Sequence, residues 1–111
     1  MLLLLNHENA YTEDSKFFDY LLNEGHPVGK HKAIVFKKVL GVTLSNYNVL
    51  KERILKGIIN YPALEGMSDV YGIRYIVDFP WRENDSNVII RTAWIIRVRE
   101  NFPRLVTVFI L

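Results

Sequence analysis

The stretch His26-Pro27-Val28-Gly29-Lys30-His31-Lys32-Ala33-Ile34-Val35-Phe36-Lys37-Lys38-Val39-Leu40-Gly41 is the one around which the rest of the chain is organised. His26 precedes a proline, which biases it to extended backbone. Gly29 permits a sharp turn into a helix, and Gly41 ends it. Within the helix Lys32, Val35, Phe36, Val39 and Leu40 share one stripe, while Lys30, Ile34, Lys37 and Lys38 share another. A lysine on the stripe that faces the core must snorkel to water or find a partner, which makes Lys32 the unusual member of the segment.

Working outward, the preceding segment carries Phe17, Phe18, Leu21 and Leu22 at the spacing of one face of a short helix. Thr12 or Asp14 can cap it, and Gly25 can end it in the left-handed conformation. After Gly41, Ser45 or Asn46 can cap a third helix, with Tyr47, Leu50, Ile54, Leu55, Ile58 and Ile59 on its apolar face. Tyr61-Pro62 stops it. Beyond that point the apolar period changes to two. Residues 63–70 read as a weak strand or loop. Ile73, Tyr75, Val77, Phe79 and Trp81 then alternate with Arg74, Ile76 and Asp78, and a turn over Glu83 to Asn87 leads into a long strand, Val88 to Val98. That strand is apolar on Ile90, Thr92, Trp94, Ile96 and Val98 and carries Arg91, Ala93, Ile95 and Arg97 on its other face. Leu105 to Leu111 is a last strand, apolar enough to predict an interior place in the sheet. Helices followed by strands indicate an α+β fold. The expectation is about three N-terminal helices on one face of a C-terminal antiparallel sheet of three to four strands, as one domain over residues 1–111.

Composition limits the chemistry. The chain has 111 residues, a net charge of +2 and no cysteine. Disulfides, thiolate catalysis and cysteine-based zinc sites are excluded. Three histidines without ligand spacing predict no metal, and no cofactor motif is present. The hydrophobic opening Met1 to Leu5 is too short to span a membrane and reads as a strand or packed tail. It has no features of a secretion signal, so a cytoplasmic location is expected and the Asn84-Asp85-Ser86 sequon carries no weight.

Chemistry-bearing residues cluster in two places. His26, His31 and Lys32 stand at a helix start, where free amides and the helix dipole favour an anion. Histidine serves as general acid or base, and lysine offsets charge on a phosphorane-like transition state. The competing reading is an amphipathic helix with solvated lysines and locally bonded histidines. Arg74, Asp78, Arg91 and Arg97 share the sheet face that helices leave open, where arginines can hold phosphates. The competing reading there is a set of cross-strand Arg–Asp pairs. Thr107 offers a hydroxyl to a phosphate. Trp81 and Trp94 read as core, with base stacking as the alternative.

The blocks Asp19-Tyr20-Leu21-Leu22-Asn23, His26-Pro27-Val28-Gly29-x-His31-Lys32-Ala33-x-Val35-Phe36, Leu40-Gly41, Tyr71-Gly72-x-Arg74-Tyr75-x-Val77-Asp78-Phe79, Arg91-Thr92-Ala93-Trp94-Ile95-Ile96-Arg97 and Pro103-Arg104-Leu105 with Thr107 and Leu111 resemble a family of small bacterial proteins of unassigned function. Its members look like toxin modules, some encoded beside a short partner gene, and their order of elements is similar to that of barnase, EndoU, colicin and RelE ribonucleases. The resemblance implies a metal-independent RNA-cleaving toxin without a cofactor. Its substrate would be RNA, and its protein partner a small antitoxin or immunity protein. The candidate catalytic residues are His31, Lys32, Arg91 and His26, and the candidate substrate-binding residues are Arg74, Thr107 and Arg97. The alternative is a non-catalytic module that binds a small partner protein.

Overall fold

The computed structural model describes residues 2–83 and 86–111. The sequon and the centre of the turn before the third strand, at Asn84 and Asp85, lie outside the described residues, as does Met1. A 3-10 turn (His7–Asn9) precedes a short helix α1 (Asp14–Lys16), which runs directly into a π-helical turn (Phe17–Leu21). Helices α2 (Lys30–Leu40) and α3 (Tyr47–Asn60) follow, then strands β1 (Ala63–Asp69), β2 (Gly72–Glu83), β3 (Ser86–Arg97) and β4 (Arg104–Ile110). Among the described residues the strands form one antiparallel sheet in the order β1-β2-β3-β4, so the fold is α+β, as expected.

The two periodicities account for the core. In α3, Leu50, Ile54, Gly57 and Ile58 are buried at positions i, i+4, i+7 and i+8. The alternate residues Val77, Phe79 and Trp81 of β2, Ile90, Thr92 and Trp94 of β3, and Leu105 and Val108 of β4 face the helices. Both tryptophans are fully buried, and the Trp94 indole N–H donates to Thr92 Oγ1 (2.8 Å), whose hydroxyl donates to the Val77 carbonyl (2.7 Å). They are core and offer no stacking surface. Gly57 lets α3 approach the sheet closely, because a β carbon there would lie 2.6 Å from the Phe79 ring.

Several local expectations are corrected. Of the two readings of the 63–70 segment the strand holds: β1 covers Ala63–Asp69, with an irregularity between Glu65 and Ser68. β4 lies at a sheet edge, not in the interior. Its apolar run is explained by what covers it: Leu105 and Val108 face the core, Tyr11 makes a parallel bridge with Arg104, and α2 packs beside its far end. Val98 lies beyond β3 and is exposed. α2 buries Ala33 and Phe36, whereas Val35 is exposed. Gly25 does not adopt positive φ; Gly41 does, at φ 67°. Asn46 stands at the N-cap position of α3 as expected but makes no side-chain cap bond to it. Thr43 instead caps a 3-10 turn (Leu44–Asn46) that leads into α3, its hydroxyl accepting from the Ser45 amide (3.3 Å) while Asn46 Oδ1 accepts from the Thr43 amide (2.7 Å). In the opening segment Leu4 is buried and the Leu2 carbonyl accepts from the Ala63 amide (2.8 Å), while Leu2 and Leu5 are exposed. No helix among the described residues is long and apolar enough to cross a membrane.

Candidate functional site

The turn into α2 is built around His26. Pro27 supplies no amide, and the next two amides, of Val28 and Gly29, both donate to His26 Nδ1 (3.0 and 2.9 Å). The imidazole thus does the work that an aspartate or asparagine oxygen does at other helix starts. Because Nδ1 accepts, the neutral ring carries its hydrogen on Nε2. The ring also meets Tyr20 edge-on at 5.0 Å between centroids. Gly29 has ordinary dihedrals (φ −76°), so the sharp turn is not what requires glycine. Space does: a β carbon at Gly29 would lie 2.2 Å from the Tyr20 carbonyl oxygen. The π turn that ends at Leu21 and the start of α2 are therefore in backbone contact.

This contact aims Lys32. Its ammonium donates to Thr107 Oγ1 on β4 (2.7 Å) and stands 5.7 Å from the Tyr20 ring centroid and 5.3 Å from that of Phe109. Among the described residues no carboxylate is ion-paired with it. Burial without a counter-charge pulls its pKa below the usual 10.5. The first turn of α2 holds Lys30, His31 and Lys32 and no acid. Cations at the positive end of a helix dipole are unfavourable by a few tenths of a kcal/mol to about 1 kcal/mol each. An anion held there would relieve that cost.

Thr107 and Phe109 are two residues apart on β4 and lie opposite Ala93 and Arg91 of β3. A cavity of about 180 Å³ opens beside them, lined by His31, Lys32, Val35, Phe36, Phe109 and Ile110. The exposed His31 and the half-buried Lys32 thus line one cavity.

The arginines stand differently. Arg91 makes a two-pronged pair with Asp78, Nε to Oδ1 and Nη2 to Oδ2, both at 2.9 Å. That pairing raises the Arg91 pKa above its ordinary value. Arg74 pairs with Asp69 at 2.7 Å. Arg97 belongs to a separate cleft with Tyr11, Glu13, Lys16 and Arg104. Arg91 and Arg74 show the cross-strand pairing that competed with phosphate binding. Of the candidate residues, the structure brings Lys32, Thr107 and His31 together, sets His26 behind them across Tyr20, and leaves Arg74 and Arg97 apart. Tyr20 and Phe109 are additions that the sequence reading does not contain. The two-residue step from Thr107 to Phe109 is a legible signal for the second; nothing in the local pattern ties Tyr20 to Lys32. Among the described residues no group of histidines and carboxylates is placed to hold a metal ion.

No curated protein and no solved structure matches the chain. Residues 3–111 match the model of a family described as "Domain of unknown function" (DUF6883).

Proposed function

We propose that this chain, which belongs to the DUF6883 family, is a metal-independent RNA-cleaving domain of toxin type that acts in the cytoplasm and is held in check by a small cognate protein. The observation that carries the reading is the 2.7 Å contact between Lys32 and Thr107, residues 75 positions apart, with no carboxylate among the described residues ion-paired to the lysine. A half-buried cation that, among the described residues, meets a hydroxyl and two aromatic rings but no counter-charge suits a ligand that brings its own negative charge.

In this reading the ribose 2′-oxygen attacks the adjacent phosphorus and the bond to the 5′-oxygen breaks. The products are a 2′,3′-cyclic phosphate and a 5′-hydroxyl. His31, exposed and without a hydrogen bond or ion pair among the described residues, takes the 2′-proton. Lys32 gives a proton to the departing 5′-oxygen, an act favoured by its lowered pKa. The Thr107 oxygen accepts from Lys32, so its own hydrogen can be donated to a non-bridging phosphate oxygen as charge builds there. His26, tied through Nδ1, contributes the Nε2 hydrogen as a donor rather than acting as a base. Arg91 and Arg74, neutralised by Asp78 and Asp69, shape the field without touching the phosphate.

The test is single-stranded RNA incubated with the purified protein in EDTA, with product ends identified by mass. Cyclic-phosphate ends lost in both Lys32→Ala and His31→Ala support the assignment. Absence of cleavage, or cleavage that survives both changes, removes it. A second reading, a non-catalytic module for a small protein partner, is favoured by a separate observation. Leu64 (70% exposed), Met67 (64%), Val70 (82%) and Tyr71 (69%) project around the edge strand β1 and the turn after it. Expression without growth arrest, together with a co-purifying partner lost on Met67→Glu, would favour that module.

A further inference from the structure

We infer that the cavity beside Lys32 is a base-stacking subsite, and that the substrate is therefore single-stranded RNA, taken with little regard to base identity. The inference rests on the RNA reading above and specifies its substrate. A phosphate held by Lys32 and Thr107 has a ribose and a base attached, and these must lie against whatever borders the pair. What borders it is apolar: Phe109, Ile110 and Val35, the last 43% exposed on a helix that otherwise turns mostly basic residues to water, with the buried Phe36 beneath. The Lys32 ammonium lies over the Phe109 ring, 5.3 Å from its centroid, so a cation and an aromatic side chain share this wall, the pairing used by proteins that bind single strands. At about 180 Å³ the space is small, on the scale of a single ring system rather than a larger ligand.

In a duplex the bases are stacked inward and could not reach this wall, whereas in a single strand a base can turn out onto it. Polar groups on the cavity wall come from His31 and Lys32, both assigned to the phosphate chemistry. Among its described lining residues no other side chain is polar, so stacking rather than side-chain hydrogen bonding sets the preference.

The test is fluorescence anisotropy in EDTA with a labelled 2′-O-methyl RNA 12-mer, which lacks the attacking hydroxyl and is not cut, the same sequence as a 2′-O-methyl duplex, and a 12-mer of abasic 2′-O-methylribose phosphates. The inference expects the single strand to bind more tightly than either of the others. Phe109→Leu, which keeps apolar volume, should weaken single-strand binding by roughly 5- to 150-fold, the range for losing one stacked base. Equal affinity for single strand, duplex and abasic chain overturns the inference and leaves the RNA reading standing. Absence of binding to every RNA overturns both. The abasic comparison uses the parental protein alone, so it decides the matter even where Phe109→Leu fails to fold.

Discussion

Replacing Thr107 by valine keeps the volume and branching of the side chain and deletes the oxygen to which Lys32 donates. In the folded protein Lys32 Nζ is held at 2.7 Å from that oxygen and rests between the Tyr20 and Phe109 rings. A hydrogen bond to a charged group contributes about 1.5–3 kcal/mol when its donor has no alternative. Lys32 is only half-buried and its four-carbon stem can turn the ammonium to water, so the expected loss of stability is below about 1 kcal/mol. Catalysis should lose more, because an unmoored amine no longer waits at the phosphate. A misplacement on the order of 1 Å can cost about 100-fold, so kcat/KM should fall roughly 10- to 100-fold, about 1.4–2.8 kcal/mol in the barrier. The assay is cleavage of a fluorogenic single-stranded RNA in EDTA, paired with thermal melting. Thr107→Ser, which retains the hydroxyl, should recover most of the rate. A Thr107→Val protein that cleaves at the parental rate would refute the role given to this contact. So would a Thr107→Ser protein as impaired as the valine variant.

Three further outcomes follow from the geometry. Gly57→Ala gains about 1 kcal/mol of helix propensity but sets a β carbon 2.6 Å from the buried Phe79 ring, and overpacking costs about 1–3 kcal/mol; a net loss near 1 kcal/mol should lower Tm by about 4 °C, and a higher Tm would contradict the close packing. The Lys32 pKa is lower folded than unfolded, so between the folded value and 10.5 the folded protein binds fewer protons; stability should rise with pH across that window, cleavage should decline through it, and denaturant titrations of Lys32→Met should lack the rise. The Arg104 hydrogen bond holds the Glu100 carboxyl below 4.5, so its contribution is present above that value and disappears as pH falls through the folded pKa; Glu100→Gln should show a shallower acid limb, and an unchanged limb would count against the pair.

The helix expected from Tyr47 to Ile59, the alternation from Ile73 to Trp81 and the order of helices before strands follow from local spacing, and the folded chain bears them out; the strand expected over Val88 to Val98 forms as Ser86–Arg97. The place of β4 is not legible in its own residues, because a run of apolar residues does not say what lies beside it. Here the cover comes from Tyr11 and α2, at sequence distances that local spacing does not reach. Val35 falls on the apolar stripe of α2 and is nevertheless exposed, for a related reason. A stripe five residues wide has two sides, and the side that packs is chosen by the neighbour, here through Ala33 and Phe36.

By itself the sequence determined that the chain is α+β, that cysteine chemistry is excluded, and that Lys32 is a cation on an apolar face in need of a partner. These are consequences of residue type and of spacing within one element. Only the tertiary structure decided which partner Lys32 finds. Gly29 against the Tyr20 carbonyl sets the angle of α2, and the edge position of β4 brings Thr107 and Phe109 to the amine. It also decided that Arg91 and Arg74 are matched by Asp78 and Asp69, because strand register, which no single strand contains, selects which charges meet.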